Sequence, residues 1–222
     1  RFRHMIVACD GDITAFDRFD NGVSVVAVEP PARSAGLYAS LSAALRILRE
    51  QRPHLLLTYN WGSIEWALAG RFLRCLPHIH FESGFGPEEA NTQIRRRVVF
   101  RRVALASSHR VVVPSRSLMK IAREVWRLDR RRLAYIPNGV DCDRYAAPPD
   151  PSIVDGFTKA PGELIVGTVA PLRPEKNLKR LIRTFAAVAP DFNARLLLVG
   201  EGKERGALVQ LALRVQKPLV AL

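Results

Sequence analysis

Almost from end to end the chain alternates short apolar runs with longer stretches whose apolar residues recur at helical spacing, and no other feature restricts its fold as much. The runs "MIVACD", "VSVVAVE", "HLLLTYN", "HIHFES", "RVVVPS" and "LAYIPN" read as strands, and "LYASLSAALRILRE", "SIEWALAGRFLR", "NTQIRRRVVFRRVALA" and "SLMKIAREVW" read as helices between or beside them. Alternation of this kind predicts an α/β fold, a mostly parallel sheet with helices on both faces. After Asn138 the stretch "GVDCDRYAAPPDPSIVDGFTKAPGE" is rich in proline, glycine and aspartate, as a linker is. A fresh series of strand, turn, helix and strand then begins at Leu164. The expectation is two Rossmann-like, doubly wound domains, residues 1–145 and 164–222, joined by a linker at 146–163, with the second domain incomplete. Opening on "RFRHMIVACDG" and stopping as another apolar run starts, the sequence reads as a piece shortened at both ends.

Of the 222 residues 48% are hydrophobic, enough for a sizeable core. No apolar run approaches the roughly 20 residues that cross a bilayer, and no charged-then-apolar leader opens the sequence, so a soluble, cytoplasmic protein is expected. Cys9, Cys75 and Cys142 lie far apart, without a CxxC pair or a histidine at metal-ligand spacing. They argue against disulfides and zinc and read as small buried or half-buried residues. The net charge of +13 is concentrated: residues 95–132 hold thirteen Arg and Lys side chains against Glu124 and Asp129, a net +11. Such a segment suits nucleic acid, anionic lipid or a polyanionic substrate, or is a solvated surface. Only Phe100 and Trp126 interrupt it, where nucleic-acid readers interleave stacking aromatics, so lipid or acidic substrate is the better reading.

One turn stands out for chemistry. "LIVGTVA" reads as a buried strand, and Leu178, Leu181, Ile182 and Phe185 recur at helical spacing after it, with Lys179, Arg180 and Arg183 on the other face. Between them lies "PLRPEKN", which places Arg173 and Lys176 where a strand's carboxyl end meets a helix amino end. Ligands bind there in open α/β sheets, and the unpaired N–H groups of a helix start favour phosphate. The alternative is a solvated turn, since the loop lacks the GxxxxGK[ST] cradle.

Several phrases together resemble the family-4 retaining glycosyltransferases of the GT-B fold: "NWGSIEWALA", "HIHFESGFGPEE", "VVVPSRSLMKIAREVW", "YIPNGVDCDRY", "GTVAPLRPEKNLKRLI" and "ARLLLVGEGKERGAL". The resemblance runs from near Leu55 to about Leu211, in the family's order. It implies a hexosyltransferase-type enzyme that moves a sugar, with retention, from a nucleotide-diphosphate sugar to a glycan or lipid-linked acceptor. It also implies donor-phosphate binding by Arg173 and Lys176, and neither metal nor cofactor. Negative charge grows on the leaving diphosphate, so fixed cations stabilise the transition state more than the ground state. The chain departs from the family pattern in three ways. Pro171 stands where an arginine often lies five residues before the lysine; nothing after Gly206 matches the family's paired glutamates; and the glycine-rich loop expected after a first strand is not in the sequence.

On the acceptor side the resemblance points to His80, Glu82 and Ser83 as catalytic candidates, with Ser83 standing where many relatives carry a histidine. His78 and His80 alternate along a strand and share a face; the alternative for His80 is a core histidine, which is the preferred reading for His78, His4, His54 and His109. Asn60, Gly84, Ser115, Gly200 and Gly202 are cleft candidates. Ser63 and Ser115 are equally placed to cap helices, and Asp141 to cap a turn. The basic segment is expected to dock peripherally on the anionic inner face of a membrane, bringing a lipid-linked acceptor within reach. The competing function is a non-catalytic basic domain, or remnant, that binds anionic surfaces.

Overall fold

A computed structural model describes residues 2–19, 22–29, 36–73, 75–89, 92–147, 157–215 and 219–221. It divides into two compact units, Arg1–Val140 and Asp141–Leu222. Half of the expected linker, residues 148–156, lies outside the described residues.

The first unit begins with strands β1 (Arg3–Ile6) and β2 (Ser24–Ala27), paired in parallel as a small sheet of their own. Helix α1 (Gly36–Gln51) follows, then β3 (Leu56–Tyr59), α2 (Ile64–Phe72), β4 (His78–Phe81), α3 (Arg95–Leu105), β5 (Arg110–Val113), α4 (Arg116–Glu124) and β6 (Leu133–Tyr135). The last four strands form one parallel sheet in the order β3-β4-β5-β6. The unbroken valines of β5 are buried, as a strand covered on both faces requires. Helix α4 turns Leu118 and Ala122 inward and Arg116, Lys120 and Arg123 to solvent. Ser115 caps it, its side chain accepting the Leu118 N–H at 3.1 Å.

Trp126, wholly buried, joins Ile64, Ala67, Ala104, Leu105, Val111, Ala122 and Leu128 in the main core of this unit. A second cluster, built on Ala44, Ile47 and Leu48 of α1 with Trp66 and Ala69 of α2, packs on Leu56.

The second unit opens on a short helix, α5 (Cys142–Ala146), where the sequence suggested only a turn; Asp141 is its cap and accepts the Arg144 N–H at 3.1 Å. Strands β7 (Leu164–Val169), β8 (Ala194–Val199) and β9 (Leu219–Ala221) pair in parallel in that order. Helices α6 (Leu178–Val188) and α7 (Arg205–Arg214) connect them, and Leu178, Ile182, Phe185, Leu196, Leu198 and Leu208 fill the core. Both units are therefore α/β with parallel sheets.

Three local expectations are corrected. Strand β7, expected to be buried, is an edge strand with Leu164, Val166 and Val169 exposed. Cys75 and Cys142 are exposed rather than buried, because one lies in the connection between α2 and β4 and the other starts α5; Cys9 is half-buried. Ser63 precedes α2 but makes no cap: its hydroxyl turns back to the end of β3, accepting the Tyr59 N–H at 2.7 Å and lying 2.9 Å from the Tyr59 carbonyl.

Candidate functional site

In the first unit the candidate residues collect at the carboxyl ends of β3 and β4. Asn60, directly after β3, has φ 56° and ψ −174°, a backbone region that nearly excludes side-chain-bearing residues. Its N–H donates to the Phe81 carbonyl at 2.8 Å, and its side-chain oxygen accepts the Ser83 N–H at 2.8 Å. The two turns are thus tied together, and the tie accounts for the strain. Ser83 is exposed and Gly84 half-buried. His80 and Glu82 are fully buried, so their side chains do not reach solvent.

Beneath this loop lies a group of buried charges that the sequence did not announce. Arg101 of α3 is wholly buried. Its guanidinium sits over the rings of Trp61, Phe85 and Trp126 at 4.9, 5.2 and 5.2 Å. It forks onto Glu89, Nη1 to Oε1 at 3.1 Å and Nη2 to Oε2 at 3.0 Å, and turns Nε toward Glu82 Oε2 at 3.4 Å. Arg97 adds a bridge to Glu88 at 2.6 Å and to Glu89 at 3.2 Å. Hydrogen bonding to Arg97 holds the Glu88 carboxyl below its usual range; Glu89 is held low by Arg101, the Ile94 N–H and Arg97, against the opposing pull of burial. Glu89 also accepts the Ile94 N–H, at 3.1 Å, just before α3. The signal available for this cluster was the i,i+4 spacing of Arg97 and Arg101, which puts both on one helical face, and the acidic pair Glu88–Glu89 in the loop before that helix.

The arginine-rich segment therefore has two populations. Arg97 and Arg101 serve the cluster; Arg102 donates to the carbonyls of Val125 and Trp126 at the end of α4, and Arg132 to the Ser108 carbonyl. Arg95, Arg96, Arg110, Arg116, Lys120, Arg123, Arg127, Arg130 and Arg131 remain exposed.

On the face of β4 that carries His80, a hydrogen-bonded row runs across the strands. Thr58 Oγ1 lies 2.7 Å from His78 Nε2 and 2.8 Å from His80 Nδ1, and Ser108 Oγ lies 3.0 Å from His78 Nδ1. Burial and the neighbouring His80 lower the pKa of His78 to about 4.

In the second unit Arg173 and Lys176 occupy the turn between β7 and α6, and both are exposed. Neither makes an ion pair or side-chain hydrogen bond among the described residues, whereas Lys179 pairs with Glu204 and Arg205 with Glu201. Asn177 starts α6 in a left-handed conformation without a side-chain cap. The glycines of "GEG" lie against the same turn. A Cβ on Gly200 would stand 2.1 Å from the Ala170 carbonyl oxygen, and one on Gly202 2.4 Å from that of Leu172, both at positive φ. Here the backbone close approach is to protein, with Leu172 N–H donating to the Glu201 carbonyl at 2.8 Å and Glu204 N–H to that of Leu172 at 3.1 Å.

Residues 1–139 match the glycosyl transferase 4-like domain family, and the chain belongs to it. Over an alignment of 175 residues that covers 69% of this chain and 38% of the other, the chain is 26% identical to D-inositol 3-phosphate glycosyltransferase of Rhodococcus erythropolis. Among solved structures, the chain is similar to HepE of Anabaena in complex with UDP and glucose, with TM-score 0.66 and 17% identity over 90% of this chain and 56% of that one. It is also similar to a glycosyltransferase of Rickettsia africae, with TM-score 0.65 and 13% identity over 99% and 59%. The fold is thus that of GT-B glycosyltransferases, and the chain spans little more than half of these relatives at most.

Two predictions follow from the buried groups. Replacing Arg101 by Leu leaves Glu82 without its cation and Glu89 with Arg97 alone, and is expected to cost about 3–5 kcal/mol in urea unfolding, while Arg95→Leu is near neutral. For His78 the folded pKa lies below the unfolded one, so between pH 6.5 and about 4 the unfolded chain binds more protons. Stability present above pH 6.5 is lost as pH falls through that window, by up to about 3 kcal/mol. Urea midpoints of wild type and His78→Gln, compared at pH 7 and pH 5, should show a smaller acid loss in the variant.

Proposed function

We propose that this member of the glycosyl transferase 4-like family moves a hexosyl unit from a nucleotide-diphosphate sugar to a glycan or lipid-linked acceptor, with retained anomeric configuration. The observation that carries the reading is the pair of unneutralised cations, Arg173 and Lys176, on the turn that leads into an uncapped helix start. Lys179 on α6 and Arg205 on α7 are paired with glutamates; Arg173 and Lys176, like Arg180 and Arg183 farther along α6, are not paired among the described residues, and of these four the first two stand on the turn itself. A diphosphate suits them: it is dianionic or more, it gains charge as the sugar bond breaks, and N–H groups at a helix start complement its oxygens. Two cations and a helix start supply this stabilisation without a metal. That solved neighbours of the same fold hold UDP supports the assignment. Gly200 and Gly202 contribute by letting their turn press against residues 170–172, which sets the course of the phosphate turn.

On the acceptor side Ser83, Gly84 and Asn60 meet the acceptor, with the Ser83 hydroxyl as the exposed polar group of the three side chains placed nearest by the family pattern. His80 and Glu82 act from beneath, through the loop they support. Ser115 spends its side chain on the cap of α4.

The acceptor's lipid link is favoured by the outer face of α3. Arg95, Arg96, Val99 and Val103 are exposed there, the two valines at 56% and 46%, and Phe72 at the end of α2 is 59% exposed. Helix α2 packs on α3, and Arg71 donates to the Val103 carbonyl beside it. Cations interleaved with exposed apolar side chains on one helical face match an anionic bilayer surface, each cation contributing about 1 kcal/mol close to it. Among the described residues no helix is long and apolar enough to cross a membrane.

Lys176→Ala is expected to weaken UDP binding by about 1.5–3 kcal/mol, the range of hydrogen bonds to charged groups, and calorimetry in which it leaves UDP affinity unchanged would remove the donor assignment. For the surface, sedimentation with vesicles should show binding that rises with anionic lipid content and falls with salt. It should weaken further in Arg95→Glu/Arg96→Glu; equal partitioning to neutral vesicles would leave the arginines as ordinary solvated surface.

A further inference from the structure

Four buried polar atoms beneath the acceptor loop make no hydrogen bond among the described residues: His80 Nε2, both carboxylate oxygens of Glu82, and Arg101 Nε. They nevertheless face one another, with His80 Nε2 at 3.9 Å and Arg101 Nε at 3.4 Å from Glu82 Oε2. The terminal nitrogens of Arg101 are committed to Glu89, so Glu82 depends on Arg101 Nε and on what His80 presents to it. Which atom His80 presents is decided at its other ring nitrogen, by Thr58. Thr58 has one hydroxyl hydrogen and stands within hydrogen-bond distance of two imidazoles, so it donates to one and accepts from the other.

Only two arrangements of neutral rings satisfy this row. In one, Ser108 donates to His78 Nδ1, His78 Nε2–H donates to Thr58, Thr58 donates to His80 Nδ1, and the His80 proton lies on Nε2, toward Glu82. In the other every donor is reversed, and the lone pair of His80 Nε2 meets a buried carboxylate. A lone pair set against a carboxylate oxygen out of contact with water is unfavourable, whereas an N–H aimed at it joins Arg101 Nε, 3.4 Å away, in offering that oxygen a donor. His78, with its pKa lowered to about 4, is a neutral ring with one proton to place, as either arrangement requires.

We infer that Ser108, His78, Thr58 and His80 form a one-way hydrogen-bond chain that turns the His80 Nε2–H toward Glu82 and, with Arg101, fixes the 82–89 loop. The first three are thereby positioning residues for a loop whose ends they do not touch. The loop's attachments make the link physical: Glu82 N–H donates to the Val112 carbonyl at 3.0 Å, Ser83 N–H to Asn60 at 2.8 Å, and Glu89 carries the fork of Arg101. The consequence for acceptor binding rests on the reading of Ser83 and Gly84 given above.

The test is a long-range proton–nitrogen correlation spectrum of the protein labelled with ¹⁵N-histidine, at pH 7.5, for wild type, Thr58→Ser and Thr58→Val. Wild type and Thr58→Ser should show His78 and His80 as neutral rings protonated on Nε2 alone. Thr58→Val keeps the shape and deletes the hydroxyl; it should lose the fixed His80 pattern, and amide exchange at Glu82 and Ser83 should quicken at least tenfold. A proton on His80 Nδ1 in the wild type overturns the inference, as does a Thr58→Val variant with unchanged His80 signals and unchanged exchange. UDP titration of the same samples separates the two readings: an affinity equal in all three is expected, and failure of wild type to bind UDP would count against the donor assignment while leaving the tautomer result to stand.

Discussion

A guanidinium shut away from water must be neutralised where it lies, and in this protein that requirement falls on Arg101. Taking such an ion out of water costs several kcal/mol even after relaxation, and the attraction of buried partners repays it only with good geometry. The geometry here comes from three parts of the chain at once. Glu82 and Glu89 bracket the loop after β4, Trp61 comes from the turn after β3, and Trp126 follows α4. Moving any of these strands or helices relative to the others would uncover or unpair the charge. The arrangement thus converts a liability of burial into a condition that one loop conformation meets, and that loop carries the exposed Ser83.

Much of the architecture was legible because it depends on local periodicity. Alternating strands and helices led to parallel α/β sheets, and the caps at Ser115 and Asp141 are local chemistry that a few residues specify. What escaped the sequence was the destination of charges. "RRRVVFRR" reads as one solvated basic run, yet Arg97 and Arg101 turn inward and Arg102 ends its reach on the carbonyls of α4. A count of charge does not distinguish an arginine that pairs at 3.0 Å in the core from one that is exposed. Ser63 shows the same limit on a smaller scale: its position before a helix suggested a cap, but the chain end of β3 offered closer partners. In the candidate site, His80 and Glu82 were expected as catalytic candidates, with a core histidine as the alternative for His80, and both are buried. Their burial, and the Thr58 hydroxyl that joins the two histidines, follow from strand register, which the sequence alone does not supply.

The two units also use charge differently. In the first, two glutamates, Glu82 and Glu89, are drawn into the core, while most of the arginines of residues 95–132 stay exposed. In the second, glutamates are placed to occupy specific cations: Glu163 takes Arg195, Glu204 takes Lys179, and Glu201 takes Arg205. Arg173 and Lys176 stand outside this pairing, as Arg180 and Arg183 of α6 do among the described residues; what singles the first two out is their place on the turn between a strand's carboxyl end and a helix start.

The close approach at Gly200 and Gly202 carries a mechanical consequence. The strand-to-helix turn after β7 and the one after β8 are joined by backbone hydrogen bonds at Ala170, Leu172 and Glu204, and the ion pair of Lys179 and Glu204 fastens α6 to the start of α7. With no side chain between them to act as a compliant spacer, the two turns behave as one stiff lever. A force applied to either turn is transmitted to the amino ends of both helices rather than absorbed as local slack, so displacement at residues 173–176 would tilt a helix pair instead of flexing a loop.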